Sequence, residues 1–223
     1  MKLEIGDIMI AYKFLAAGAI GPFTGRPWPL PSARAPGAWL AAPDEDLARR
    51  GVHACRRGNL SLWPDEELWL VELEGPFIPD SCLIIAARGR LLRRVQAWNA
   101  TTAREYAAAC AWRARHLVVE ALERAHLPVE AATLRACCDL ESLQDKASAI
   151  AGDAPPEEPR GLAAYAAGSA MRARQGWFPE ASLQHAHLGA ALATSESGAA
   201  RARAWQSHGL AVRLDLDDVE QLG

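Results

Sequence analysis

The spacing of apolar residues changes once along this chain, close to Trp98. Before that point apolar residues alternate in short runs, the period of a half-buried strand. After it they recur every three to four positions, the period of an amphipathic helix. A single switch of this kind points away from alternating strand–helix units and toward an α+β fold. The expected architecture is a small mixed or antiparallel sheet over residues 1–98, covered by an aromatic Pro-rich loop. A helical bundle of about five helices follows over residues 99–223, and the two halves are expected to share one core. A chain of 223 residues is long enough to bury such a core.

The strand half has the clearer local signals. In IMIAYKFL (8–15), alternation puts Ile8, Ile10, Tyr12 and Phe14 on one face and Lys13 on the other. Residues 18–43 are dense in Pro and Gly, which forbids helix and most ladder pairing. Phe23, Trp28, Leu30 and Trp39 make that stretch too aromatic for disorder, so an ordered covering loop is expected, with a short strand at 38–41. Residues 44–50 suit one helical turn, acids first and arginines last. A strand over 51–55 is followed by a turn-rich excursion at 56–65 and the strongest strand signal, ELWLVELE, at 67–74. Two further strands, 83–87 and 91–95, are expected across an Arg88-Gly89-Arg90 turn. In the helical half, residues 101–126 place Ala103, Tyr106, Cys110, Ala114, Leu117 and Ala121 on one stripe. Pro128 opens a second helix to about residue 150, and 152–159 (GDAPPEEP) reads as a linker. Three shorter helices near 161–174, 179–193 and 196–208 and a short tail at 212–222 complete the reading.

Composition excludes some functions. A formal net charge of −3 gives no cause to expect nucleic acid or an anionic membrane as partner. No apolar run reaches the roughly 20 residues a spanning helix needs, and the N-terminus lacks the apolar core of a signal peptide, so a cytoplasmic location is expected. Arginine is abundant and lysine rare, with Lys2, Lys13 and Lys146 the full set. The five cysteines form no C-x-x-C pair and read as reduced, buried small residues. Of the eight tryptophans, five fall in the first hundred residues, where a thin sheet needs aromatic mass.

His53 and Cys55 share a strand face two residues apart. That spacing suits an activated thiolate pair or two metal ligands, and equally a hydrogen-bonded strand histidine beside a buried thiol. A metal site is not expected, because His116, His126, His185, His187 and His208 lack His-x-x-x-His spacing. Tyr12 and Lys13 fit a stacking ring and an anion contact, or a core tyrosine and an edge lysine. Trp28, in the covering loop, is a further ligand contact. Glu72, among apolar neighbours, reads either as a partly buried acid with a raised pKa or as a solvent-face residue. The basic run Arg88, Arg90, Arg93 and Arg94 fits a phosphate contact, but in an Arg-rich chain a solvated hairpin is preferred.

Tyr12-Lys13, the Gly21-to-Pro29 loop GPFTGRPWP, Gly51-Val52-His53-Ala54-Cys55 and Glu67-Leu68-Trp69-Leu70-Val71-Glu72-Leu73 together resemble a group of uncharacterised bacterial proteins from high-GC genomes. A more distant likeness is to the ADP-ribosyltransferase fold. There a first strand with a nucleotide-contacting residue precedes a Gly-aromatic segment and a strand like Val71-Glu72-Leu73-Glu74-Gly75. His53 stands where that fold usually carries tyrosine. The likeness implies transferase chemistry and puts NAD forward as one candidate cofactor, the cofactor itself staying open. The leading expectation is therefore a small-molecule, transferase-like enzyme with catalytic His53, Cys55 and Glu72 and ligand contacts from Tyr12, Lys13 and Trp28. The alternative is a non-catalytic binding or accessory module acting through a protein partner or a homo-oligomer. A ligand-sensing regulator ranks third, with no basic helix-turn-helix for DNA.

Overall fold

A computed structural model describes residues 8–42, 51–79, 82–192 and 197–216. The expected helical turn at 44–50 lies outside them, as does most of the tail at 212–222. The described chain divides into two compact units. One comprises the residues up to Asn99 together with those from Ser207 onward, and the other is Ala100–Gln206.

The first unit is a five-stranded sheet in which every pairing is antiparallel. Its strands are β1 (Ile8–Leu15), β2 (Leu40–Ala41), β3 (Val52–Ala54), β4 (Glu67–Pro79) and β5 (Ile84–Arg94). β4 lies between β1 and β5, and both β2 and β3 pair with the far edge of β5. One isolated antiparallel bridge, Tyr12 to Cys55, then ties the end of β3 back to β1. The sheet thus curls until its two edges touch at one residue pair. Alternation divides its side chains cleanly. The inner face buries Ala11 and Leu15 from β1, Val52 and Ala54 from β3, Trp69, Val71 and Leu73 from β4, and Ile84, Ala86 and Leu91 from β5. The other face carries Tyr12, Phe14 and Leu68, with the Phe14 ring edge-on to Trp98 at 5.4 Å.

Two expectations about elements of this unit are corrected. The two strands expected on either side of Arg88-Gly89-Arg90 are one continuous β5. Gly89 is there for closeness and not for turning: a Cβ on it would lie 2.8 Å from Val52 Cγ1 and 3.1 Å from Leu73 Cδ2. The excursion at 56–65 is mostly a 3₁₀ helix, Arg57–Leu62.

Six α-helices fall within the described residues: α1 (Ala100–Arg124), α2 (Pro128–Arg135), α3 (Leu140–Ala151), α4 (Ala163–Arg174), α5 (Phe178–Ala191) and α6 (Ser197–Arg213). The single helix expected from Pro128 to about residue 150 is α2 and α3, broken at Cys137-Cys138. Asp139 restarts it as an N-cap, its Oδ1 accepting the Ser142 N–H at 2.7 Å. The second unit has its own buried cluster, in which small residues dominate: Ala114, Ala147, Ala163, Ala166 and Ala170 pack with Val118, Leu122, Leu134 and Leu143. Alanine at these positions lets helix axes approach closely. No helix among the described residues is long and apolar enough to cross a membrane.

Candidate functional site

Lys13 is the unusual residue of the first unit. Alternation along β1 puts its side chain on the inner, apolar face, between Ala11 and Leu15 and opposite Trp69 on β4. After β1 the chain turns back on itself through an Ala16–Ile20 bridge. Gly18 (φ 76°) and Ala19 (φ 58°) make this turn in the left-handed region. Glu67 fixes it: the N–H groups of Gly18 and Ala19 donate to its two carboxylate oxygens at 3.2 and 3.1 Å. Trp69 Nε1 and Arg94 also reach the Glu67 carboxylate, at 2.9 and 3.1 Å. The return segment is then held by Trp28 N–H donating to Ala19 O at 2.9 Å. This delivers the Trp28 ring to Lys13, with Nζ 5.2 Å from the ring centroid.

The Lys13 ammonium donates to the backbone carbonyl of His53. The bond closes the seam between β1 and β3. Cys55 turns both its N–H and its C=O to Tyr12, at 2.7 and 2.9 Å. Two residues back along β3, the His53 carbonyl faces the same way, and a side chain takes it up. Burial lowers the Lys13 pKa to about 8, the Cys55 sulfur pulling weakly the other way. Among the described residues no carboxylate pairs with Lys13. The residue as a whole is half-buried.

The other expected site residues are distributed differently. Lys13, Trp28 and the His53 backbone come together. The side chains of Tyr12, His53 and Cys55 lie on the opposite face of the curled sheet by strand alternation. Burial pushes the Cys55 thiol up to about 12, with the Lys13 charge opposing, so it is a protonated thiol at neutral pH. Glu72 shares the face of Tyr12 and is held by Arg90 through two bonds, Nε to Oε2 at 3.0 Å and a terminal nitrogen to Oε1 at 3.1 Å. Trp39 lies over the guanidinium groups of Arg90 and Arg88 at 4.5 and 4.9 Å, which accounts for half of the basic run. Arg94 is taken by Glu67. Of the covering loop, Trp28 is buried but Phe23 and Leu30 are 81% and 61% exposed.

A second polar cluster, in the helical unit, was not anticipated. His185 on α5 is 1% exposed. Gln206 on α6 donates from Nε2 to the Ser182 carbonyl at 2.8 Å and lies 2.9 Å from His185 Nδ1. Since that nitrogen is an amide donor, His185 Nδ1 accepts and the ring proton is on Nε2. Ser182 Oγ meets Tyr106 Oη at 3.1 Å and accepts from Arg203 at 3.2 Å. Trp205 closes on the His185 ring edge-on at 5.2 Å. Burial, aided by the charges of Arg113 and Arg203, lowers the His185 pKa to about 4, so the ring is neutral at pH 7. The signal was present in spacing. Tyr106, Cys110 and Arg113, Ser182 and His185, and Arg203 and Gln206 are each one helical face. Which faces meet is a tertiary fact that spacing does not carry. Among the described residues no three His, Cys, Asp or Glu side chains gather as a metal site.

No protein-family model, no curated protein and no solved structure matches the chain.

Proposed function

We propose that the sheet unit holds a small-molecule site centred on Lys13 and Trp28, and that the protein is a transferase-like enzyme whose ligand is a nucleotide such as NAD. One observation carries this reading: a half-buried lysine on an apolar sheet face, with no carboxylate partner among the described residues. An ammonium in that position lowers stability, and residues retained against stability concentrate at functional sites. A bound anion would supply the missing counter-charge, beside the Trp28 ring that the ammonium overlies. His53 contributes its backbone to the site. The thiol of Cys55 and the Arg90-bound carboxylate of Glu72 support no acid–base role in this reading.

A thermal-shift titration with millimolar NAD tests it. Ligand at about 100 times its dissociation constant adds roughly 2.7 kcal/mol, several degrees of midpoint in a chain of this size. The expected result is a shift that Lys13→Met abolishes. An unchanged midpoint, or a shift that Lys13→Met retains, would overturn the reading.

A second reading, a binding module for a protein partner, is favoured by Phe23 and Leu30. Both are large apolar side chains left in solvent by an otherwise ordered loop. It predicts that Phe23→Ser leaves the fold intact and lowers retention of the partner or of a second copy.

A further inference from the structure

We propose that Lys13 is a carbonyl-reactive amine: it condenses, beside the Trp28 ring, with the aldehyde or ketone of a small-molecule ligand to form a Schiff base. The inference rests on the reading of Lys13 as a ligand site but not on NAD as the reacting ligand, since the carboxamide of NAD does not condense with an amine; it adds that the site takes a ligand bearing an aldehyde or ketone.

Three features of the geometry support it. The lysine is held at one end by β1 and at its tip by the His53 carbonyl, so the nitrogen has a fixed address. The side chain lies on the buried, apolar face of the sheet, opposite Trp69, and burial favours the uncharged amine over the ammonium. No carboxylate among the described residues is placed to hold the ammonium form. With a pKa of about 8, about a tenth of the molecules carry a free amine at pH 7. An ordinary lysine near 10.4 would carry about one in two thousand five hundred.

The step balances without a further reactant. The Nζ lone pair attacks the carbonyl carbon and forms the C–N bond, while the carbonyl π pair moves to oxygen. Loss of water, taking that oxygen and two protons from nitrogen, leaves the neutral imine. Protonation of the imine from solvent restores one N–H, and the His53 carbonyl that held the amine is positioned to accept it. The backbone acceptor thus serves both the free amine and the protonated imine, and the charge of the latter falls beside the Trp28 ring.

The chain suits a direct test, since it has only three lysines. The full protein is incubated with pyridoxal 5′-phosphate as an aldehyde probe, reduced with borohydride and mapped by peptide mass spectrometry. The same mixture is run in urea as the unfolded control. Expected is labelling of Lys13 at least tenfold faster than Lys146 in the folded protein, a preference lost in urea, with a rate that rises through pH 8. Labelling of Lys13 no faster than Lys146 overturns the proposal. Lys13→Arg, which keeps the charge but cannot form an imine, separates this failure from failure of the site. If NAD still shifts the midpoint of wild type and of a folded Lys13→Arg while no selective adduct forms, the amine chemistry falls and the site stands. If neither NAD shift nor selective adduct is seen in wild type, both fall.

Discussion

Lys13 ties pH to stability in a definite direction. In the folded chain it loses its proton at about 8, in the unfolded chain near its ordinary value of 10.5. Between these the unfolded state holds more protons, so stability rises with pH at about 1.4 kcal/mol per unit. Cys55 acts oppositely. Its thiol holds its proton to about 12 when folded against 9.0 otherwise, so above pH 9 it lowers stability as pH rises. Wild type is therefore expected to gain about 0.5–1 kcal/mol from pH 8 to 9, because folded Lys13 still holds part of its proton at pH 8 and Cys55 begins to oppose it, and then level off. In Lys13→Met the rise is absent, the fall above pH 9 remains, and stability at pH 7 is higher by on the order of 1–2 kcal/mol. Urea denaturation across pH 7 to 11 measures all three, and equal curves for the two proteins would refute the burial of that ammonium. Much of this site was legible. Tyr12 and Lys13 stood out because an ammonium interrupts an apolar strand, and alternation alone put them on opposite faces. Which face lies inside the curl was not legible, because it depends on the Tyr12–Cys55 contact, 43 positions apart in the sequence. For the same reason His53 looked like a side chain with a role, while its carbonyl is what meets Lys13.

At the scale of elements, the errors in reading were errors about what a punctuating residue punctuates. Gly89 looked like a turn because glycine usually marks one. In β5 it marks a place where three strands crowd, with Val52 and Leu73 against its Cα. Gly89→Ala is expected to cost about 1–3 kcal/mol by overpacking. Val52→Ala in the same chain should return part of that loss, a coupling that a double-mutant cycle in urea would read. Additive losses would mean that the two side chains do not meet. The Pro128 helix start was read correctly because proline's fixed φ suits the first turn. The break at Cys137-Cys138 escaped because Asp139 sits in a segment whose apolar spacing continues through it. The turn after β1 depends on Glu67. Glu67→Ala would leave the N–H groups of Gly18 and Ala19 and the Trp69 indole without their acceptor. Two of these donors, the Ala19 N–H and the Trp69 indole, are buried, and at about 1–3 kcal/mol for each left unmet a loss of about 2–6 kcal/mol is expected. Glu67→Gln, which keeps an acceptor oxygen, should cost less. Equal losses in the two variants would show that the carboxylate's charge, and not its acceptor geometry, holds the turn.

For the molecule as a whole, chain order and spatial order differ. The strand half was legible as a block because its period is distinct. The membership of Ser207 onward in the sheet unit was not, since α6 reads as one uninterrupted helix. Ser207 Oγ donates to Ser61 Oγ at 2.9 Å and accepts the Ser61 N–H at 3.1 Å, and Leu210 and Leu214 are buried. Leu210→Ala with Leu214→Ala is expected to remove about 4 kcal/mol or more. In native-state hydrogen exchange the loss should appear first in the amides of β1, β4 and β5, with those of α1 to α4 keeping their protection. Uniform loss across both units would contradict the assignment of these leucines to the sheet unit.

The bond between Ser61 and Ser207 has a consequence for biosynthesis. A ribosome working at 5–20 residues per second places those two hydroxyls in the same growing chain about 7 to 30 seconds apart. Through that interval the strands are made, yet the helical segment that completes their unit is not. The helices of Ala100–Gln206 emerge meanwhile, rich in short-range contacts, and such contacts form fast. The nascent sheet, with Lys13 on its inner face, is thus the part of this protein that waits longest for its own completion.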